Sequence, residues 1–423
     1  MATPLLRPRA GTPEVLVTRD QVAAAAEALA AGRGPLAVDT ERASAYVYDD
    51  RALLIQLRRE GAGTFLIDPE TDRSAVDPLP EAINPLPWVL HASPSDLPCL
   101  TALGLLPSEL FDTEIAGRLL GLERVNLAAM TERFLGWSLA KGHGREDWSR
   151  RPLPADWLDY AALDVELLPE LAESLGDALS ELDRMDWLLD ETRAILDRFT
   201  PDAAHGGAGA PLNNPDPEGW RHLRGIGGLR RPDQLVVARE LWRERDARAR
   251  ARDVSPTRVL PHGVIVAVAR ELPRSEHELA AIRGFPRRRR GSAADWYGVV
   301  RRALSLPASD RPERVRSTTR GIPHQRDWPE RAPGAARTLE LLEPAYRGAA
   351  EELSISPETL LPPKTMRHVA WILGGADQDV PAPAGVDGVR RLLRAEGAHP
   401  WQEDILATVI AEAVLLPAAQ PLG

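Results

Sequence analysis

Two stretches rich in chain breakers constrain this sequence more than any other feature. Residues 200–219, TPDAAHGGAGAPLNNPDPEG, concentrate Pro, Gly, Ala and Asn, and residues 306–335 are again polar and rich in Pro. Neither can run as a continuous helix or strand, because Pro lacks an amide hydrogen and Gly lacks conformational restraint. A chain of 423 residues punctuated in this way must form several domains. We expect domains over 1–205, 220–305 and 336–423, with linkers over 206–219 and 306–335.

The text on either side of the breaks differs in kind. Residues 13–30 read as a short strand (EVLVT) followed by an Ala-rich helix, with Thr18 or Asp20 as its N-cap. Strands are expected from LAVDTE at 36, ALLIQLRR at 52, GTFLIDP at 63 and WVLH at 88, and a helix over about 94–103. Residues 112–200 are mostly helical in pattern. Strands followed by strands alternating with helices make an α/β domain. The two later units read as all-α.

Charge is divided unevenly. The net charge is −10, but residues 1–210 hold 19 basic and 35 acidic side chains, while residues 211–305 hold 20 basic and 11 acidic. An acidic body with a basic middle unit separates chemistry from anion binding. The single cysteine, Cys99, excludes an intrachain disulfide and a cysteine-based zinc site; it reads as a packing residue. The N-terminus lacks the apolar core of a signal peptide, and the longest apolar runs are too short to span a bilayer. A cytoplasmic protein that avoids membranes is expected.

AVDTE places Asp39 and Glu41 two apart on a strand, hence on one face. By itself this is an ordinary strand end. LHASPSDL places Asp96 just after a buried strand, where a helix dipole favours a carboxylate. DYAALDVELL places Tyr160 and Asp164 one helical turn apart, with Leu167 and Leu168 to anchor the helix. Four carboxylates converging from three segments repel one another unless cations neutralise them. Oxygen donors alone suit hard ions such as Mg²⁺ or Mn²⁺. Two such ions about 4 Å apart are a standard device for displacement at a phosphodiester. Asp39 is expected to bridge both ions, Glu41 to hold one, and Tyr160 to orient the attacking water.

Taken in order, D-x-E on a strand, H-x4-D and Y-x3-D resemble the three exonuclease motifs of the DEDD superfamily, in its tyrosine-containing branch. The flanking text is similar to the ribonuclease D family: LIQL (54–57), FLIDP (65–69), FDTEIAGRLLG (111–121) and DWSRRPLPADWLDYAALDV (147–165). The resemblance spans roughly 36–175. It implies a ribonuclease H-like α/β domain and a 3′-to-5′ exoribonuclease that releases nucleoside 5′-monophosphates with two divalent metals. Asp39, Glu41, Asp96 and Asp164 match its metal-binding acids, and Tyr160 its nucleophile-positioning residue. The middle unit, with Trp242 in a basic helix, PRSEHEL and the I-x-G turn at 282–284, resembles the HRDC nucleic-acid-binding module. The last unit, with AWILGG and HPWQEDIL, looks like the second, HRDC-like helical domain of that family. The implied partner is RNA with single-stranded 3′ ends, such as tRNA precursors, handled by a monomer without a small-molecule cofactor.

Other residues stand as candidates for substrate contact. Gln56 reaches sugar or base, or faces a neighbouring strand. His91 lies beside the site or in the core. Lys141 and Arg145, in a Gly-rich loop, reach phosphates. Arg287, Arg288, Arg289 and Arg290 form a basic run in the middle unit whose guanidinium forks suit phosphate; the bland alternative is a solvated helix start. Asp112 reads as a helix N-cap with Glu114 in the first turn. One departure stands out: Arg42 follows D-T-E, where the family often has an apolar aromatic. Two alternatives stay open at this point, a 3′-to-5′ DNA exonuclease and a non-catalytic nucleic-acid-binding scaffold.

Overall fold

The computed structural model describes residues 2–139, 142–200, 217–286, 292–313, 322–377 and 379–414. Lys141, the run Arg287–Arg290 and most of the expected 206–219 linker lie outside the described residues.

The first unit is built on strands β1 (Thr3–Leu5), β2 (Val15–Leu16), β3 (Arg33–Glu41), β4 (Leu54–Glu60), β5 (Gly63–Ile67), β6 (Pro87–Leu90), β7 (Glu109–Asp112) and β8 (Trp137–Leu139). Six of them form a mixed sheet in the order β2-β5-β4-β3-β6-β7, and β1 pairs with β8 in a separate two-stranded ribbon. β3 lies in the middle. It runs antiparallel to β4, with Asp39 opposite Gln56, and parallel to β6, with Ala37 opposite Val89. Its segment Leu36–Val38 is fully buried, as expected of a strand covered on both faces.

The helices of this unit are α1 (Arg19–Ala31), α2 (Leu79–Ile83), α3 (Leu97–Thr101), α4 (Thr113–Leu119), α5 (Leu127–Leu135), α6 (Ala155–Glu166), α7 (Leu168–Glu181) and α8 (Met185–Asp197). Thr18 caps α1 in a reciprocal capping box with Gln21, a device that stabilises a helix start by about 1 kcal/mol. One sheet face, with Leu36 and Val38, packs on α1, α2 and α3. The other, with Ala37 and Val89, packs on Val165, Leu168 and Ala172 of α6 and α7. The alternation of side chains along β3 therefore sends Asp39 and Glu41 to the α6 side and Thr40 to the α3 side.

The middle unit is all-α: α9 (Pro232–Arg250), α10 (Pro256–Val259), α11 (His262–Glu271), α12 (Glu276–Ala281) and α13 (Ser292–Ser305). Its core gathers Trp220, Val237, Leu241, Ile265, Leu279, Trp296 and Val300. It docks on the loop 42–53 that joins β3 to β4. There the Ser255 amide donates to the Tyr46 carbonyl at 3.0 Å, and the Tyr48 hydroxyl donates to Asp246 at 2.9 Å.

The last unit comprises α14 (Trp328–Arg331), α15 (Pro333–Glu352), α16 (Pro357–Leu360), α17 (Pro363–Leu373), α18 (Gly385–Ala395) and α19 (Pro400–Val414). Thus α14 and the start of α15 fall within 306–335, which reads as a linker in sequence. Its helices share one apolar core with the first unit: Met130, Leu171, Leu175 and Leu188 pack with Trp328, Leu342, Ile372 and Leu406. Trp187 stacks on Trp401 with ring centres 4.5 Å apart. Arg184 donates to the carbonyls of Leu119 and Leu353, each at 2.6 Å. At Gly121, φ is +72° and a Cβ would fall 1.8 Å from the Ser354 carbonyl oxygen. Only glycine permits that approach between the two units.

Candidate active site

Asp39, Glu41 and Asp164 each offer a carboxylate oxygen, and the three oxygens lie within 4.8 Å of one another. β3 supplies two of them because residues two apart share a face. α6 supplies the third because its apolar stripe, through Trp157, Ala161 and Val165, seats it against the sheet. Two arginines, at 2.8 and 3.6 Å, fasten the end of α6. Arg9 and Arg58 both pair with Glu166, which is 2% exposed. Asp39 and Asp164 keep part of their surface open, so a cation can reach them.

Asp96 stands at the start of α3 and is 3% exposed. Its Oδ1 accepts from the Thr40 hydroxyl at 2.5 Å and faces Arg42 Nη2 at 3.5 Å. It is not one of the three mutually close carboxylates. Burial is the main cause that pushes these acids above the usual carboxylate range. Asp39 and Glu41 are raised well above it, with the neighbouring negative charges adding to the effect. Asp96 is pushed up to about 6 and Asp164 to about 7. Burial beside like charge is what holds these carboxyls up. The donor set is all oxygen, without His or Cys, and so fits Mg²⁺ or Mn²⁺.

Tyr160 lies one turn before Asp164 and donates its hydroxyl to that carboxylate. Burial and the surrounding carboxylates raise the phenol further from ionisation. Its hydroxyl therefore stays protonated and free to donate. His143, at φ +60° in the loop before α6, sets its ring edge-on to Tyr160 with centres 5.8 Å apart.

The remaining candidates are distributed around this cluster. Gln56 is fully buried opposite Asp39, and neither of its amide atoms has a hydrogen-bond partner among the described residues. His91 turns toward the start of α4, with Nδ1 2.9 Å from the Thr113 hydroxyl. Arg145 is exposed on the loop before α6. Asp112 caps α4 by accepting from the Glu114 and Ile115 amides. Cys99 is buried, its thiol donating to the Asp96 carbonyl at 3.1 Å. Sequence reasoning missed Thr40, Arg9 and His143. Only Thr40 had a visible signal: a Thr between two acids of a strand must point to the opposite face, where Asp96 arrives.

Comparison with known proteins follows the same outline. Residues 13–180 match a family model described as a 3′-5′ exonuclease, residues 234–296 the HRDC domain, and residues 321–414 a 3′ to 5′ exonuclease C-terminal domain. The ribonuclease D of Pseudomonas paraeruginosa is 30% identical over 362 residues, covering 84% of this chain and 89% of that one. The chain belongs to the ribonuclease D family. The ribonuclease D of Nitrobacter hamburgensis is 28% identical, covering 79% and 84% of the two chains. Among solved structures, a protein from Bifidobacterium adolescentis aligns with a TM-score of 0.83 at 33% identity, over 98% of this chain and all of that one. The Escherichia coli RNase D, an exoribonuclease involved in structured RNA processing, shares the fold at a TM-score of 0.66 and 24% identity, over 95% and 98% of the chains. Membership of this family places the cluster of Asp39, Glu41 and Asp164 in a domain class that uses divalent metals. No helix among the described residues is long and apolar enough to cross a membrane.

Proposed function

We propose that this protein is a 3′-to-5′ exoribonuclease that releases nucleoside 5′-monophosphates from the 3′ ends of tRNA precursors or other stable RNA. The observation that carries this reading is the meeting of three carboxylate oxygens from β3 and α6 within 4.8 Å, with Tyr160 bonded to Asp164. Asp39, Glu41, Asp96 and Asp164 would hold two divalent cations, Mg²⁺ or Mn²⁺. When bound, these ions supply an activated water and stabilise the charge on the leaving 3′ oxygen.

The chain's own residues do the rest. Tyr160 orients the attacking water through its neutral hydroxyl. Thr40 fixes the Asp96 carboxylate so that it need not reorganise on binding. Gln56 is fully buried opposite Asp39, which keeps it from RNA. The mutual repulsion of four acids, two of them buried and two partly so, argues against a scaffold without activity, since such a cluster lowers stability unless a cation is used.

We propose three working units, 1–205, 220–305 and a last one that begins at Trp328 and not at 336, with the basic middle unit contacting phosphates. A groove of about 710 Å³ supports that role: Arg248, Arg252 and Arg258 line it, together with Asp295. Arg258 also lies over the Tyr46 ring, 5.4 Å from its centre, on the loop that leaves Glu41. The groove thus adjoins the segment that follows the catalytic strand.

Matched RNA and DNA oligomers, labelled at the 5′ end and incubated with Mg²⁺ or Mn²⁺, test the function. Stepwise shortening of the RNA from its 3′ end, with nucleoside 5′-monophosphate as product, is expected. Shortening of DNA in preference to RNA would replace this reading with a DNA exonuclease.

A further inference from the structure

The segment before β2 lies outside residues 13–180, the stretch that matches the exonuclease model, yet it grips the helix that carries Tyr160 and Asp164. β1 pairs with β8 in parallel, Thr3 opposite Trp137 and Leu5 opposite Leu139. Leu5 is buried in one apolar cluster with Leu139, with Leu163 of α6 and with Leu167 just after that helix. Further along, Arg7 Nε pairs with Asp159 Oδ2 at 3.2 Å, and the Thr12 hydroxyl donates to the same carboxylate. Arg9 Nε donates to Glu166 Oε1 at 2.8 Å, and its Nη2 donates to Glu170 Oε1 at 2.8 Å. Asp159, Leu163 and Glu166 stand four and three apart, so they form one face of α6. Tyr160 and Asp164 each follow a residue of that face by one position, about 100° round the helix. The segment therefore holds the side of α6 next to the one that bears the site.

We infer that residues 2–13 form a strap that sets the seat of α6, and that Arg9 is its positioning residue, acting through Glu166 on Asp164 and Tyr160. This rests on the reading of the acidic cluster as an exonuclease site. Glu166 is the last residue of α6 and is 2% exposed. Arg9 supplies its only side-chain hydrogen bond among the described residues, while Arg58 stands off at 3.6 Å. A buried carboxylate that loses its donor must turn toward another cation or toward water. Either move shifts the end of α6, and Asp164 lies two residues before it. The Arg9 side chain is itself 44% exposed, so its loss opens no cavity in the core. The strap also pairs with β8, which leads into the loop that sets His143 against Tyr160. It thus ties down the elements on both sides of that loop, β8 before it and α6 after it.

The test is single-turnover shortening of a 5′-labelled RNA in Mg²⁺ by the full-length protein, over a range of enzyme concentrations, with melting curves run beside it. Two constants are read: the rate at saturation and the half-saturating concentration. Arg9→Gln is expected to lower the saturating rate about tenfold, with the half-saturating concentration within about twofold of wild type. Arg9→Lys keeps a charged donor for Glu166 and recovers the rate to within about threefold of wild type. A lower melting temperature in Arg9→Gln with both constants unchanged, at a temperature where the variant is folded, overturns the inference, because the strap then serves stability alone. A higher half-saturating concentration with the rate unchanged also overturns it, by placing Arg9 on the RNA. Failure of Arg9→Lys to recover any of the loss overturns the route through Glu166. If Arg9→Gln melts below the assay temperature, Arg7→Gln takes its place, since the Arg7 side chain is 80% exposed. A loss of about threefold in rate is expected there, and an unchanged rate overturns the inference as well. A wild type that leaves the RNA intact overturns the exonuclease reading itself, and this inference with it.

Discussion

Arg51 and Asp253 form a two-point ion pair, at 3.0 and 2.7 Å, across the boundary between the α/β unit and the basic helical unit. Arg51 also pairs with Glu70 and Asp49, so a single buried guanidinium ties three carboxylates together. The loop that carries it follows directly from the strand that bears Asp39 and Glu41. Docking of the middle unit and the shape of the acidic site are thereby linked through one segment.

This arrangement predicts unequal effects of removing its two ends. Asp253→Ala leaves Arg51 with two partners and is expected to cost about 1 kcal/mol, given how exposed Asp253 is. Arg51→Ala leaves three carboxylates facing one another and is expected to cost about 3 kcal/mol. Denaturant midpoints followed by tryptophan fluorescence measure both. Equal losses would show that the pair, and not the cluster, sets the stability of this boundary.

The basic groove predicts a salt signature. Replacing Arg252 and Arg258 together with Ala should weaken RNA binding and reduce the slope of log K against log salt by about 2. Release of mononucleotide from a short oligomer should continue, because neither residue lies in the acidic cluster. An unchanged salt slope would remove this groove from the path of the RNA.

The acids predict an inverted pH dependence of stability. In the unfolded chain such carboxyls titrate near about 4, whereas Asp96 and Asp164 in the fold are pushed to about 6 and about 7. The folded state therefore holds more protons than the unfolded one between these values. The contribution of these groups to stability is full below the unfolded value and is lost as pH rises through the folded values. The melting temperature of metal-free protein should fall between about pH 5 and pH 8, by less in Asp164→Asn, and Mn²⁺ should restore it at the upper end. The same slope in wild type and variant would contradict the assignment of raised carboxyls to this site.

Tyr160→Phe removes a hydroxyl without changing ring packing. We expect single-turnover cleavage to slow by about 10²-fold, with Mn²⁺ affinity unchanged. A parallel loss of Mn²⁺ binding would mean that the hydroxyl serves Asp164 and not the water.

Much of this was legible in the residues, for physical reasons. The central strands announce themselves because Leu36–Val38 and Leu54–Ile55 are apolar runs buried on both faces. The acids could be grouped because strand and helix periodicities fix which of them share a face. What was hidden depends on contacts distant in sequence. β1 and β8 are three-residue strands whose partners lie more than a hundred positions apart, and β1 contains Pro4. The four-residue β7 falls between the helix expected over about 94–103 and the helical text that begins at 112, too short to show a strand pattern. Asp112 was legible as a cap because it precedes its helix directly. The fusion of the last helical unit with Leu171 and Leu188 could not be seen, since an amphipathic pattern says that a face is buried but not against what. Nor does a sequence show that Asp96 would be held by Thr40 and Arg42 apart from its three companions.

The central claim is that Asp39, Glu41, Asp96 and Asp164 form the metal site of an exoribonuclease. The most direct measurement is 3′-end shortening of a 5′-labelled RNA by purified wild type and by Asp39→Asn combined with Asp164→Asn, in Mg²⁺ and in Mn²⁺. The account predicts nucleoside 5′-monophosphate release by the wild type and a loss of about 10³-fold or more in the variant, with the fold intact. Shortening at the wild-type rate by the variant would contradict it.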